Sequence, residues 1–157
     1  GDDHILKQIK KGADSSKMIK MGKRVKQAGI QLSITVLNGL GGRKNSVRHA
    51  METGRVLSAI DPDFVGALTL MLVPGTELYD QHEKGDFELM NPEEMLEELG
   101  LMIGSTHLSN GLFHANHASN YLPIRAKLPE EKEKTLEKIS QALKGKTALK
   151  PEYMRAL

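Results

Sequence analysis

The sequence predicts an α/β protein, a partial parallel (β/α) barrel followed by a C-terminal helical extension. Residues 30–37 alternate between apolar and polar side chains like a strand, and residues 64–73 form a nearly continuous apolar run. The segment between them has helical periodicity. A strand–helix–strand unit of this length suits a right-handed crossover between parallel strands.

The apolar run at 64–73 predicts a strand that is buried on both faces and therefore needs neighbours on each side. A third, short strand is expected at 111–115, which is too few for a closed barrel or a doubly wound sheet. We therefore expect further strands outside this chain. The chain starts at Gly1 directly before a helical pattern, which favours a chain cut inside a larger protein.

Amphipathic segments predict the helices. The fourth helix has the clearest start, because Asn91 is a capping residue, Pro92 suits the first helical position and Glu94 can complete a capping box. The third helix is expected to bury one apolar stripe, formed by Val47, Ala50, Met51, Gly54, Leu57 and Ile60. The predicted helices cover residues 3–11, 15–28, 47–60, 92–102 and 129–143.

Composition excludes several kinds of site. The chain has no cysteine, which excludes disulfides, thiolate nucleophiles and thiolate-bound clusters made by this chain alone. No apolar run approaches the roughly 20 residues that a membrane span requires. No signal sequence is recognisable, so a cytoplasmic location is expected.

The charge is distributed unevenly. Residues 1–60 carry twelve lysines and arginines against four acidic residues, whereas residues 61–157 carry ten against sixteen. Such a basic half could contact RNA, although solvated helix faces explain it more simply. The basic half has no aromatic residue before Phe64 on which a single-stranded base could stack.

Glycines follow the first predicted strand at 38–42 and a Pro-Gly pair follows the second at 74–75. Ligands of parallel α/β proteins bind at the carboxyl ends of strands, where glycines let the backbone approach closely. The first segment is not a dinucleotide fingerprint, because Lys44 occupies the third glycine position, and it is not a phosphate-binding P-loop. A purely structural tight turn is the alternative reading.

Three segments together resemble the second half of the barrel of radical S-adenosylmethionine (radical SAM) enzymes. Residues 1–12 (GDDHILKQIKKG) resemble the segment after the fourth barrel strand. Residues 34–42 (ITVLNGLGG) resemble the fifth strand and its loop, and residues 70–79 (LMLVPGTELY) resemble the sixth strand. The resemblance is to the oxygen-independent coproporphyrinogen III oxidase-like and tRNA-modifying branches.

The resemblance implies an iron–sulfur oxidoreductase-like parent that binds S-adenosylmethionine and a [4Fe–4S] cluster, and that cleaves the former reductively to a 5′-deoxyadenosyl radical. The CxxxCxxC loop of that family lies in the first half of the barrel, which is absent here. The implied partner is thus the missing N-terminal half. The implied S-adenosylmethionine contacts are Lys11, Thr35, Gly39, Leu40, Gly41, Met71, Leu72 and Pro74.

Lys11 and Thr35 depart from the family pattern. Lys11 stands where related oxidases place an Arg near the methionine carboxylate, and lysine lacks the bidentate fork of arginine. Thr35 stands where an Asp contacts the ribose, and its hydroxyl can make a single hydrogen bond there. A solvated lysine and an ordinary strand threonine are the alternative readings.

Residues 114–121 (HANHASNY) resemble the segment that ends the barrel in this family. The resemblance places Asn116, His117, Asn120 and Tyr121 on the substrate side. The alternative is a loop held by local hydrogen bonds of Asn and Ser side chains. No metal site is expected, because glycine and asparagine oppose the helix that would align the two histidines.

Taken together, residues 1–80 are expected to form barrel and residues 81–157 an extension. The main hypothesis is a fragment of a radical SAM enzyme that is inactive alone and acts on an unknown substrate. The alternatives are a non-catalytic scaffold domain and an RNA-contacting part of a tRNA-modifying enzyme. Uncovered strands also predict self-association.

Overall fold

The computed structural model describes all residues from 1 to 157. A single sheet of four strands forms its centre, in the order β1 (Ser33–Asn38), β2 (Phe64–Thr69), β3 (Gly111–Ala115) and β4 (Ile124–Leu128). The first three strands are parallel to one another, and β4 runs antiparallel to β3. The predicted partial α/β barrel is confirmed, with one antiparallel strand added at its edge.

The chain has six helices, and three of them lie between strands. A 3₁₀ turn at Glu152–Met154 follows the last of them, and no helix is long and apolar enough to cross a membrane. The five predicted helices are all present, whereas the short α4 was not predicted. The helices are α1 (Asp3–Gln8), α2 (Ser15–Gln27), α3 (Gly42–Ile60), α4 (Glu77–Glu83), α5 (Pro92–Ser105) and α6 (Lys132–Leu143).

The start of α5 forms as the sequence predicts. The Asn91 side chain accepts a hydrogen bond from the Glu94 N–H, and the Glu94 side chain accepts one from the Asn91 N–H, each at 2.8 Å. This capping box satisfies donors that the first helical turn leaves without partners. It fixes where α5 begins and therefore which side chains α5 turns towards the sheet.

The hydrophobic core lies between one face of the sheet and the helices α3, α5 and α6. Alternate strand residues point into it, so that Val65, Phe113 and Ile124 are almost completely buried. Helix α3 approaches α5 closely at Gly54, where a Cβ atom would lie 2.6 Å from the Ser105 Cβ. The core is thus a two-layer arrangement of helices on a sheet.

The opposite face of the sheet is not covered by any helix of this chain; we call it the open face. In β2 the side chains alternate between buried and half-buried, and the same alternation holds in β3. The run at 64–73 was predicted to be buried on both faces. Within this chain the core-facing residues of β2 are buried and the outward-facing residues are half-buried. Burial of the second face was expected to need strands outside this chain, so it stays a prediction.

The edge strand β1 has a second uncovered surface. Beside it lies an apolar cleft of about 540 Å³, bounded by α1, α2 and α3, which we call the edge cleft. Met18, Met21 and Val25 of α2 line it together with Ile34 of β1. An unpaired strand edge beside exposed apolar side chains is a surface to which another strand can add.

One sequence prediction requires correction. Val47 and Met51 are more than half exposed, because the buried stripe of α3 is rotated towards His49, Thr53 and Val56. The rotation follows from contacts of α3 with α2 on one side and α5 on the other. In addition, β3 pairs with β2, so the sheet crosses residue 80; the division into 1–80 and 81–157 stays a prediction.

The edge cleft predicts that the isolated chain self-associates. We expect Met21→Lys to lower the apparent mass at high concentration, because a charge in the cleft opposes burial of its apolar wall. Met51→Lys is the matched control, since Met51 is 52% exposed, compared with 46% for Met21, but lies outside the cleft. Light scattering over a dilution series measures both variants. Monomers at every concentration, or equal effects of the two substitutions, would contradict this interpretation.

Candidate functional site

A second cleft of about 390 Å³ lies where β1 and β2 end; we call it the strand-end cleft. The loop after β1 forms one wall through Leu40, Gly41 and Gly42, and the segment after β2 forms another through residues 70–73. Helix α4 and residues 86–88 close its rim. The cleft therefore occupies the position at which parallel α/β proteins bind ligands.

The loop after β1 depends on a glycine. Gly39 has a φ of +91°, and a Cβ atom there would lie 2.5 Å from the Met95 Sδ. A side chain at this position would be strained by the backbone and would also collide with α5. The glycine thus lets the loop turn over α5 and present Leu40 and Gly41 to the cleft.

A buried carboxylate holds this loop from below. Glu98 of α5 is 1% exposed, and its Oε1 accepts a hydrogen bond from the Gly39 N–H at 2.6 Å. The same oxygen lies 2.9 Å from His49 Nδ1, within hydrogen-bond distance. Beside it, Asn38 donates to the Met95 carbonyl at 2.8 Å. The start of the glycine turn is therefore fixed to α5.

The rim of the strand-end cleft is held by paired charges. Arg43 contacts Glu88 at 2.5 Å and Glu94 at 2.8 Å, and Lys10 contacts Glu77 at 2.6 Å. Hydrogen bonds from the Asn91 N–H and from Arg43 hold the pKa of Glu94 below its usual value. These ion pairs balance the charges of Arg43 and Lys10. Nine of the 20 residues that line the cleft are hydrophobic, and Lys44 and Asp86 also line it.

The structure brings four of the predicted S-adenosylmethionine contacts together. Leu40, Gly41, Met71 and Leu72 all line the strand-end cleft. Gly39 lies under the loop and directs its N–H to Glu98. The remaining three lie elsewhere: Lys11 and Thr35 line the edge cleft, and Pro74 is exposed beyond the cleft wall.

Leu40 contributes to both clefts, so the strand-end cleft and the edge cleft share a wall. A ligand that extends from one cleft into the other would reach Thr35 as well as Met71. The roles of all eight residues in binding S-adenosylmethionine stay predictions.

The predicted substrate-side residues divide into two groups. Asn116 and His117 are exposed. Asn120 is 1% exposed, donates to the Ala67 carbonyl at 2.9 Å and accepts from Thr69 Oγ1 at 2.9 Å. In this chain Asn120 ties the loop after β3 to the end of β2, which is the loop-holding role that the sequence left open, and the substrate-side role stays a prediction.

Tyr121, like Asn120, makes its contacts with other residues of this chain. Its hydroxyl donates to Glu152 Oε2 at 2.7 Å, and the Arg155 guanidinium lies 4.1 Å from the centre of its ring. Burial and the hydrogen bond to Glu152 raise the pKa of Tyr121 well above its usual value. The phenol therefore stays protonated, and its substrate-side role likewise stays a prediction.

Arg155 is an important residue that sequence analysis missed. It is 8% exposed and donates to the Leu70 carbonyl at 2.9 Å and to the Ser119 carbonyl at 2.7 Å. These bonds join the chain segments that follow β2 and β3. No local pattern in the sequence indicates a partner as distant as Leu70.

The strand-end cleft has the geometry of a small-molecule binding site. No group of three or more His, Asp or Glu side chains is arranged to hold a metal ion. The strand-end cleft offers apolar walls for a flat ring and backbone groups at two strand ends for polar contacts. Such a site suits a small molecule with a planar apolar part and a polar part.

Comparisons with known proteins support the fold. No protein-family profile matches the chain. An uncharacterised protein of Methanocaldococcus jannaschii, MJ0486, is 27% identical over 143 residues, which are 88% of this chain and 43% of that protein. A solved structure of Elp3 from Methanocaldococcus infernus, lacking its N-terminal residues 1–46, matches with a TM-score of 0.58 and 19% identity. That match covers 94% of this chain and 35% of the Elp3 chain. This chain thus has the fold of a part of longer proteins.

The buried carboxylate leads to a testable prediction. Glu98→Ala should lower the free energy of unfolding by about 3 kcal/mol or more, because the Gly39 N–H and His49 lose their buried acceptor. Glu97→Ala, at an exposed neighbouring position, should change it by less than about 0.5 kcal/mol. Urea denaturation followed by circular dichroism measures both. Equal losses would show that Glu98 does not anchor the loop.

Proposed function

We propose that this chain is part of the barrel of a radical SAM enzyme and supplies one wall of its S-adenosylmethionine site. The observation that carries the proposal is the strand-end cleft. There the two segments with family-like motifs, at residues 34–42 and 70–79, lie side by side at the carboxyl ends of neighbouring parallel strands. Motifs that lie 28 residues apart in sequence could equally have been separated by the fold.

The structural neighbour supports the same reading. The solved structure of Elp3 from Methanocaldococcus infernus matches 94% of this chain with about a third of its own chain. At 19% identity this match supports a shared fold, and a shared fold is what the proposal requires.

The residues of the strand-end cleft suit S-adenosylmethionine. Leu40 and Met71 provide apolar surface for the adenine ring, and the backbone at residues 71–72 provides donors and acceptors at its edge. Thr35 lies outside this cleft, in the neighbouring edge cleft, where its hydroxyl would meet a ribose that extends past the wall the two clefts share at Leu40. S-adenosylmethionine supplies the 5′-deoxyadenosyl radical in this family, while the protein orients and shields it.

The same residues do not suit an iron–sulfur cluster. The chain has no cysteine, and thiolates are the ligands on which such clusters depend. The cluster of the parent enzyme would therefore be bound by the other half of the barrel. That half would place strands against the β1 edge and the edge cleft, where apolar side chains already face outwards.

Binding of S-adenosylmethionine tests the proposal. We expect a mixture of this chain and a polypeptide that carries the cluster-binding half of the barrel to bind S-adenosylmethionine saturably. Leu40→Lys should weaken binding at least about tenfold, because a cation in the apolar wall repels the positively charged ligand. Leu101→Lys is the matched control, since Leu101 is exposed on α5 outside both clefts. Titration calorimetry gives the affinities.

Several outcomes would count against the proposal. Absence of saturable binding by the chain, alone and in the mixture, favours a non-catalytic scaffold domain. Equal weakening by the two substitutions places the ligand outside the strand-end cleft. A stoichiometric cluster formed by the chain alone after reconstitution with iron and sulfide would contradict its placement as the cysteine-free half.

A further inference from the structure

The open face carries a row of side chains that crosses all four strands; we call it the cross-strand row. The sheet register places Thr35 opposite Gly66, Gly66 opposite His114, and His114 opposite Arg125. The residues before and after each of them pack on the helices or face the core. Because side chains alternate along a strand, the whole row faces away from the core.

The middle of the row is a depression. Gly66 has no side chain, and at the position of a Cβ atom the only heavy atom within 4 Å would be Thr35 Oγ1, at 3.9 Å. Space therefore remains between the threonine on one side and the histidine on the other. A ligand can lie against the backbone of β2 at this point.

Arg125 stands at one end of the row with a free charge. It is exposed, and none of the ion pairs of the structure includes it. With the Asn116 amide turned so that its oxygen faces the guanidinium, that oxygen accepts from Arg125 Nε at 3.1 Å and from Nη2 at 3.0 Å. Asn116 thus holds one edge of the guanidinium and leaves the outer edge available to a ligand.

The electrostatic environment of the row favours an anion. No strand residue on the open face is acidic, and Lys127 lies in the neighbouring row of β4. Lys127 itself pairs with Glu130 at 3.0 Å, so its charge is already balanced. Arg125 forms no ion pair, although Glu131, just before α6, and Glu137 of α6 line a surface cleft together with it. The His114 imidazole lies on the adjacent strand.

We propose that His114 and Arg125 bind the phosphate group of a small-molecule substrate that lies over Gly66. A carboxylate that forms two parallel hydrogen bonds with Arg125 has used both of its oxygen atoms. A phosphate bound in the same way still has a third oxygen atom that can contact His114. The proposal rests on the proposed function, because it treats the open face as the substrate side of the barrel. It identifies the substrate class as phosphorylated small molecules.

The row also sets a distance. Neighbouring strands are about 4.8 Å apart, so His114 on β3 lies roughly 10 Å from Thr35 on β1. If S-adenosylmethionine meets Thr35, the phosphate is held about two strand spacings away. The reacting carbon of the substrate then lies between the two anchors, above Gly66.

Nuclear magnetic resonance of the histidine rings tests the proposal. The chain, labelled at histidine, is titrated with glycerol phosphate, and the His114 resonance is assigned from the His114→Gln variant. We expect a saturable shift of His114. Arg125→Gln should weaken it at least about tenfold, since it removes a charged hydrogen-bond donor. Arg24→Gln, at an exposed arginine of α2, is the matched control and should leave it unchanged.

The outcomes separate the alternatives. If acetate binds as tightly as glycerol phosphate, the ligand class is not phosphate. If Arg125→Gln and Arg24→Gln have equal effects, the ligand does not bind at His114 and Arg125. Binding of a short oligoribonucleotide without competition by glycerol phosphate overturns the proposal in favour of RNA. The titration contains no S-adenosylmethionine, so failure of the phosphate site is distinguished from failure of the proposed function. Circular dichroism confirms that each variant is folded.

Discussion

Packing of all the core-forming helices on a single face of the sheet is the constraint on which the rest of the structure depends. Residues such as Val65, Phe113 and Ile124 are buried by α3, α5 and α6, and their neighbours along each strand consequently face outwards. The outward residues are half-buried or exposed in β2 and β3. A face of this kind is stable in a barrel, where the sheet closes on itself.

The clefts follow from this one-sided packing. Because β1 is an edge strand, α2 and α3 leave the edge cleft beside it, and because β1 and β2 are parallel, their loops meet in the strand-end cleft. The loop after β1 would be free to move without its anchor. Glu98 and His49 supply that anchor from the helix layer and connect the packing of α5 to the shape of the ligand wall.

Local patterns predicted much of the fold. The alternation at residues 30–37 and the capping box at Asn91 depend on neighbours a few residues away, and both elements formed where expected. β4 was missed because its alternating Arg125 and Lys127 suit any exposed segment, and only pairing with β3 makes it a strand. α4 was not predicted because it has only seven residues and none of them is buried, so it has no apolar stripe.

The site was predictable where it is made of backbone turns and unpredictable where it is made of distant side chains. Gly39 and Gly41 marked the loop after β1 in the sequence. Glu98 is 59 residues from Gly39, and Arg155 is 85 residues from Leu70, so their partnerships emerge only in the folded chain. In the same way, the cross-strand row of the open face depends on the register of four strands and not on any local motif.

We propose that the open face belongs to a barrel that residues outside this chain complete. Methyl nuclear magnetic resonance of the dilute chain with a water-soluble paramagnetic probe tests whether this chain leaves the face uncovered. We expect strong broadening of Leu68 and Leu112, which face outwards, and sharp signals from Val65 and Ile124, which face the helices. Equal protection of all four residues would show that this chain covers both faces by itself, which contradicts the proposal.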